Sequence, residues 1–306
     1  MTLMTRRHAL AATAALPLAA TAASQVHASG EMLGAASPTF NRFVLGDFEV
    51  TALLGGTRTV PEPHKIFGLN ASDEDFAEVS AANFIPTDKA QFFFTPTLVN
   101  TGTELVLFDT GLNPEGITGV LAAAGYSPDQ IDTVVLTHMH GDHVGGLMGD
   151  GGETFTNARY VTGAVEHNYW TENPNDTFTG KVVPLNDKMT FVEDGTALIP
   201  GITPVAAFGH TPGHMGYMLD SGGQQLMLFA DLANHYVWSL AYPDWEVSFD
   251  VQKDAAAESR RRVLSMLAAD KTPFIGYHMP FPAMGYVETR GDGFHYVPSS
   301  YQMMLT

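Results

Sequence analysis

From about Phe40 onward the chain runs as short apolar stretches separated by clusters of Gly, Pro, Asn and Asp. Positions 43–54 alternate with a period near two around Gly46-Asp47, a pattern that predicts a hairpin. Runs rich in Val, Leu, Phe and Thr at 91–99, 104–108, 133–137, 159–162, 203–208, 215–219 and 225–229 predict strands, and 272–277 is a shorter run of the same kind. Helical spacing is clearest at 115–124, 164–170 and 253–269, the last placing Val263, Leu264 and Leu267 on one face. Two segments, 61–88 and 173–187, mix Pro, acids and scattered aromatics and are expected to be irregular. Insertions of that length in a compact fold are lids or linkers. No unit recurs at the spacing of a repeat array, so a solenoid is excluded.

Charge and composition divide the chain further. Arg6-Arg7 precede an uncharged, Ala-rich run at 9–23, which predicts an export signal of the twin-arginine type over 1–28, with cleavage after Ala22 or Ala28. The run is shorter than the ~20 residues a membrane span needs. A flexible segment at 29–40 and one catalytic domain at 41–306 would come next, placing the mature protein in the periplasm or outside the cell, with no stable membrane association once the signal is removed. Losing 1–28 moves the formal charge from -18 to -20. Such an acidic surface repels phosphate-rich partners, which excludes nucleic acid and anionic membranes. The chain has no cysteine, so disulfides, thiol nucleophiles and thiolate ligands are all excluded. Any transition-metal site must be built from His and carboxylate.

Three of the 12 histidines fall in one short stretch, THMHGDHVGG at 137–146. It follows an apolar, β-branched run, so His138 and His140 stand two apart at a strand end and point the same way. Gly141 is expected to permit a sharp turn that brings Asp142 and His143 alongside, and Gly145 and Gly146 let the backbone pass tightly. Four ligand-type side chains here would each need a separate buried partner if they were structural. A metal site removes that difficulty. Three further places repeat the rule of a ligand after an apolar strand: Gly209-His210-Thr211-Pro212-Gly213-His214, Asp231 after 225–230, and His278 after 272–277.

THMHGDH, GHTPGH, FADL and GYH together resemble the signature of the metallo-β-lactamase superfamily. LGDFEVTALLGG, LVNTGTELVLFDTGL and FPAMGYVETRGDGFHYVP are similar to its methyl parathion hydrolase and lactonase branch, over a match from about Phe40 to the C-terminus. The resemblance implies an α/β protein folded as an αββα four-layer sandwich, with two metals at one edge. Carried over by position, His138, His140 and His214 would hold one metal and Asp142, His143 and His278 the other, with Asp231 bridging. His210 and Asp109 would support these ligands from outside.

Imidazole and carboxylate donors suit two divalent ions, zinc first, with manganese, cobalt or iron as alternatives. A water bridging them would ionise near neutral pH, and that hydroxide is the expected nucleophile. Asp142 or Asp231 would carry the proton to the leaving group. Lactamases of the common zinc type have cysteine where this chain has Asp231 and lack a His in the place of His143, so β-lactam hydrolysis is not expected. Nucleases of the superfamily need a basic face. Small, neutral, hydrophobic lactones and aryl or alkyl esters remain, with organophosphate triesters as the alternative and a mononuclear-iron sulfur dioxygenase as the reading from another class. Phe93, Trp170, Asn234, Tyr236 and Trp238 are the expected substrate wall, with Phe92, Phe94 and Trp245 nearby. Lactonases of this kind often carry tyrosine at the position of Asn234. The resemblance also implies a homodimer.

Overall fold

The computed structural model describes Gly34 and residues 36–300. The chain divides into two compact units, Met1–Ala36 and Ser37–Thr306. The expected export signal lies outside the described residues, and every described strand and helix belongs to the second unit.

One sheet has seven strands in the order Phe40–Leu45, Phe48–Leu53, Thr97–Asn100, Leu105–Phe108, Thr133–Leu136, Arg159–Gly163 and Met189–Val192. Its first four strands pair antiparallel and its last three join in parallel. The other sheet runs Ile202–Ala206, Met215–Ser221, Gln224–Ala230, Phe274–Gly276, Met284–Arg290 and Gly293–Pro298.

The period of two along each strand assigns side chains to layers. Val106, Phe108, Val135 and Val161 pack with Tyr217, Leu219, Met227 and Phe229 of the second sheet. Their neighbours Leu107, Val134, Leu136 and Tyr160 face the other way, onto Ile117, Val120 and Leu121 of the helix Pro114–Ala123. Burial on both faces is why these strands read as unbroken apolar runs. Val263, Leu264 and Leu267 of the helix Lys253–Asp270 join the second sheet's cluster. The result is the αββα sandwich expected from the sequence.

Four local expectations change. The strand expected over 91–99 is broken at Thr95-Pro96 into Lys89–Phe94 and Thr97–Asn100. Proline has no N–H for a ladder, and the first half pairs instead with Gly56–Pro61 in a separate ribbon. The segment 61–88 contains a helix, Asp73–Ala82, begun by Ser72, whose hydroxyl accepts from Asp75 N at 3.1 Å. The segment 173–187 is mostly short helical turns that bury Phe178, Val182 and Leu185. Finally, the C-terminal hairpin of Met284–Arg290 and Gly293–Pro298 supplies two strands that no sequence run announced.

Candidate metal centre

The histidine-rich loop leaves the buried strand Thr133–Leu136 beside the end of its parallel neighbour Leu105–Phe108. There Asp109 sits in the left-handed region at φ 59°, strain that a non-glycine residue bears only where its surroundings enforce it. Its carboxylate accepts from Thr137 N at 2.9 Å, Thr137 Oγ1 at 2.8 Å and His143 Nδ1 at 2.8 Å. Having given its proton to Asp109, the Thr137 hydroxyl accepts from His138 Nδ1 at 3.1 Å. Both imidazoles therefore present an Nε2 lone pair to the interior of the site. Gly141 makes no sharp turn: it opens the one-turn helix Gly141–Val144 without a positive φ. Gly145 and Gly146 are required, because a Cβ on either would fall 2.2 Å from a backbone oxygen, that of Leu112 or Thr110.

The second loop begins at Gly209, whose φ of +127° only glycine readily adopts. His210 donates through Nδ1 to Asp250 at 3.0 Å, and Asp250 in turn accepts from the buried Arg260 at 2.8 Å. His210 Nε2 is thereby aimed at His140 Nδ1, 2.9 Å away, and His138 Nε2, 3.2 Å away. His214 has no such freedom. Its Nδ1 donates to Ala207 O at 3.0 Å, and its Nε2 accepts from Asp231 N at 3.1 Å. This geometry reverses the expected partition: His210 joins His138 and His140, while His214 is a buried brace for the backbone of Asp231.

Asp231 follows the strand Gln224–Ala230, after Ala230 at φ 49°. Its Oδ2 lies 3.3 Å from His210 Nε2 and 3.2 Å from His278 Nε2, and its Oδ1 lies 3.2 Å from His143 Nε2. On the far side, Asp142 Oδ2 is 3.3 Å from His278 Nε2 and 3.6 Å from His143 Nε2. His278 donates its other nitrogen to Phe93 O at 2.9 Å. Ligand atoms thus gather in three overlapping groups: His138, His140 and His210; His138, His143 and Asp231; Asp142, His143 and His278.

Whether these residues suit cations is decided by their lone pairs. His143 Nε2 and Asp231 Oδ1 are both buried, face each other, and have no hydrogen-bond partner. His138 Nε2 and His210 Nε2 lie 3.2 Å apart with the other nitrogen of each ring already engaged, so only a bound cation, or the proton that His210 takes up, can separate these two facing atoms. Opposed lone pairs in a buried site repel unless positive charge lies between them. Two divalent ions at this centre would satisfy these atoms, and the N and O donors suit zinc.

Residues 95–276 match the family described as the metallo-beta-lactamase superfamily. The chain belongs to that superfamily. Among solved members, it is similar to AidC, a dizinc quorum-quenching lactonase in complex with a product, N-hexnoyl-L-homoserine: 26% identical, TM-score 0.78, covering 85% of this chain and 97% of that one. The hydrolase AbOPH is 24% identical with a TM-score of 0.80, covering 87% of this chain and 99% of that one, and shows the shared fold. An N-acyl homoserine lactonase of Bacillus sp is 24% identical over 105 residues, 34% of this chain. The chain spans 39% of that relative's length.

Around this superfamily centre the structure adds residues that sequence reasoning missed. Glu166 is buried on the helix Ala164–Glu172 and accepts from Met139 N at 2.9 Å, Trp170 Nε1 at 2.7 Å, Thr211 Oγ1 at 2.6 Å and Gly213 N at 3.1 Å. One carboxylate thus ties the two histidine loops together. Tyr277 donates to Asp142 O at 2.5 Å and lays its ring 3.9 Å from that of His143. Asp250 and Arg260 were equally invisible, being an ordinary acid in a loop and one of three consecutive arginines. Because Asp250 orients His210, Asp250→Ala is expected to weaken metal retention about 10- to 100-fold. Zinc per chain after dialysis against a chelator series would measure this. The double variant with Arg260→Met removes the stranded guanidinium and separates lost orientation from an unpaired buried charge.

Of the expected substrate wall, Phe93 and Tyr236 line a cleft of about 510 Å³ that reaches His278, together with Ile85, Pro86, His235 and Pro280. Trp238 does not; it is fully buried, stacked 4.9 Å from Phe76, with its indole N–H on Ser80 Oγ at 3.0 Å. Trp170 also lies off this wall, held by Glu166 with its ring 6.0 Å from His140. Asn234 is buried and donates to Asp231 Oδ2 at 2.8 Å, so it holds a carboxylate. Phe92 and Phe94 are buried, each edge-on to His278 at 5.4 Å, and Trp245 stacks on Phe76.

Charge within the centre is sharply divided. Burial, reinforced by the neighbouring His210, holds His140 neutral down to about pH 3. For His278 burial acts in the same direction, but the carboxylates of Asp231 and Asp142 overcome it and push the imidazole up to about 10. Burial opposes the charge on His210 as well, yet Asp231 and Asp250 raise it to about 9. In the metal-free protein these two raised groups contribute stability that is fully present below the ordinary histidine value and is lost as pH rises through about 9 to 10. Metal must displace the same protons, so its affinity rises over that range. Zinc titration in buffers of different ionisation enthalpy should show proton release at pH 7. Melting of the metal-free protein should fall between pH 7 and pH 10.

Proposed function

We propose that this chain is a metal-dependent hydrolase that opens small, neutral, hydrophobic lactones. The observation that carries the reading is Asp231, a buried carboxylate set between two imidazole groups, with a cleft running up to His278 past Ile85, Phe93 and Pro280. His138, His140 and His210 would hold one ion and Asp142, His143 and His278 the other, with Asp231 shared. Two divalent ions in these positions would supply ionisation of water near neutral pH and polarisation of the carbonyl under attack. The likeness to dizinc and N-acyl homoserine lactonases supports lactones above other esters.

The chain's own residues perform the rest. Phe93, Tyr236, Ile85 and Pro280 give an apolar wall that takes up an alkyl or acyl chain and excludes water beside His278. The His143 and His278 rings are held by Asp109 and by the Phe93 carbonyl, so neither turns away during turnover. Asp142 is the better proton carrier of the two site carboxylates. Its side chain keeps 23% exposure against 3% for Asp231. Burial alone would raise its pKa, but the imidazoles of His143 and His278 outweigh it and hold the group at about 2, so it is ionised at neutral pH.

The test is a panel of acyl homoserine lactones, simple lactones, p-nitrophenyl esters and a dimethyl phosphotriester on protein of defined metal content. Lactone turnover that vanishes in chelator and returns with zinc is expected. One iron per chain with persulfide-dependent oxygen uptake, and no lactone turnover, would replace this reading by the dioxygenase.

A further inference from the structure

We propose that His235 is a specificity-determining residue: its Nε2–H is the donor with which the cleft binds a carbonyl oxygen on the substrate's side chain, such as that of an acylamido group. This rests on the lactone-hydrolase reading and extends it to a residue that no metal touches.

The tautomer is set by the backbone. His235 Nδ1 accepts from Val237 N and Trp238 N, each at 3.1 Å, so that nitrogen carries a lone pair and the proton resides on Nε2. The ring cannot swing. It stacks on Trp238 at 4.0 Å and 15°, has Tyr236 on it at 4.6 Å, and meets Phe67 at 5.5 Å. Its own backbone is tied at both ends to Ser239, whose Oγ accepts from His235 N at 2.9 Å and donates to His235 O at 3.1 Å.

This fixed ring lies on the wall of the cleft that His278 also lines. Among the described residues Nε2 has no hydrogen-bond partner, and it is not among the sealed, unpartnered atoms of the interior. The cleft wall is mixed: Ile85, Pro86, Ala90, Phe93 and Pro280 give it apolar surface, and Thr59, Gln91 and Lys89 are its other polar members. Burial holds the imidazole neutral down to about pH 3, so at working pH it offers one uncharged N–H. An uncharged N–H on this wall favours a substrate that brings an acceptor, because an alkyl group in its place would leave the donor unsatisfied. A substrate whose scissile carbonyl sits by His278 and whose side chain runs along this wall would meet that donor with its second carbonyl.

Two variants divide the ring's functions. Asparagine at 235 keeps an acceptor near the Nδ1 position and loses the donor into the cleft; glutamine keeps a donor near the Nε2 position and loses the backbone acceptor. The measured quantity is the ratio of kcat/KM for N-hexanoyl-homoserine lactone to that for a γ-alkyl lactone of matched length, with zinc content and Tm recorded for each protein. His235→Asn is expected to lower that ratio about tenfold, chiefly through KM of the amide substrate, and His235→Gln to retain most of it. The proposal is overturned if His235→Asn keeps the wild-type ratio, or if both variants lose the two substrates in equal proportion. Wild-type protein inert toward both lactones would overturn the hydrolase reading itself, and this one with it.

Discussion

Asp231→Ala should release both cations and lower lactone turnover by about three orders of magnitude or more. The expectation follows from where the two carboxylate oxygens lie. Oδ2 faces His210 and His278, and Oδ1 faces His143, so one side chain serves both ligand groups. Without it, His143 Nε2 loses the carboxylate oxygen opposite it at 3.2 Å, and Asn234 Nδ2 loses its acceptor at 2.8 Å. Asp231→Asn keeps the shape while removing the charge, and should fall between wild type and alanine in metal content. Zinc per chain and kcat/KM are the readouts. Two ions retained with near-normal turnover in Asp231→Ala would show that this carboxylate is not shared.

The layered fold and half of the centre were legible because their causes are local. A buried parallel strand announces itself as an apolar run, and ligands placed immediately after it, His138 to His143, need no long-range information to be brought together. The break at Pro96 was missed, although a proline inside a predicted strand argues against one continuous ladder. Missed too was the helix at Asp73–Ala82, although Ser72 and the run of acids after it are a cap and a first turn that suit a helix N-terminus.

What stayed hidden depended on partners far away in the chain. His210 and His214 stand four apart, each directly after a glycine. What separates their roles is Asp250, 40 residues beyond His210, and the carbonyl of Ala207 behind His214. Glu166 reaches 45 residues to Thr211, and Trp238 is removed from the substrate wall by Ser80, 158 residues away. An aromatic near a ligand reads the same in sequence whether it faces a cleft or a core, and Trp238 and Tyr236, two positions apart, divide between those fates.

The His210 and His214 pair provides the sharpest check on the geometry. His210→Ala is expected to lose the ion held with His138 and His140 and to reduce turnover at least about a hundredfold, with the fold intact. Loss of the Nδ1 donor leaves Asp250 still paired with Arg260 and so leaves that carboxylate no unpaired charge. His214→Ala should behave differently. Its nitrogens satisfy Ala207 O and Asp231 N, both buried, and each group left unpartnered costs about 1–3 kcal/mol. The expected result is a lowered Tm, with two ions still bound at saturating zinc and turnover reduced only as far as Asp231 shifts. Zinc stoichiometry and thermal melts on both variants separate the two roles. If His214→Ala loses an ion while His210→Ala keeps both, the imidazole of His214 is the ligand and the pairing of His210 with Asp250 serves only the fold.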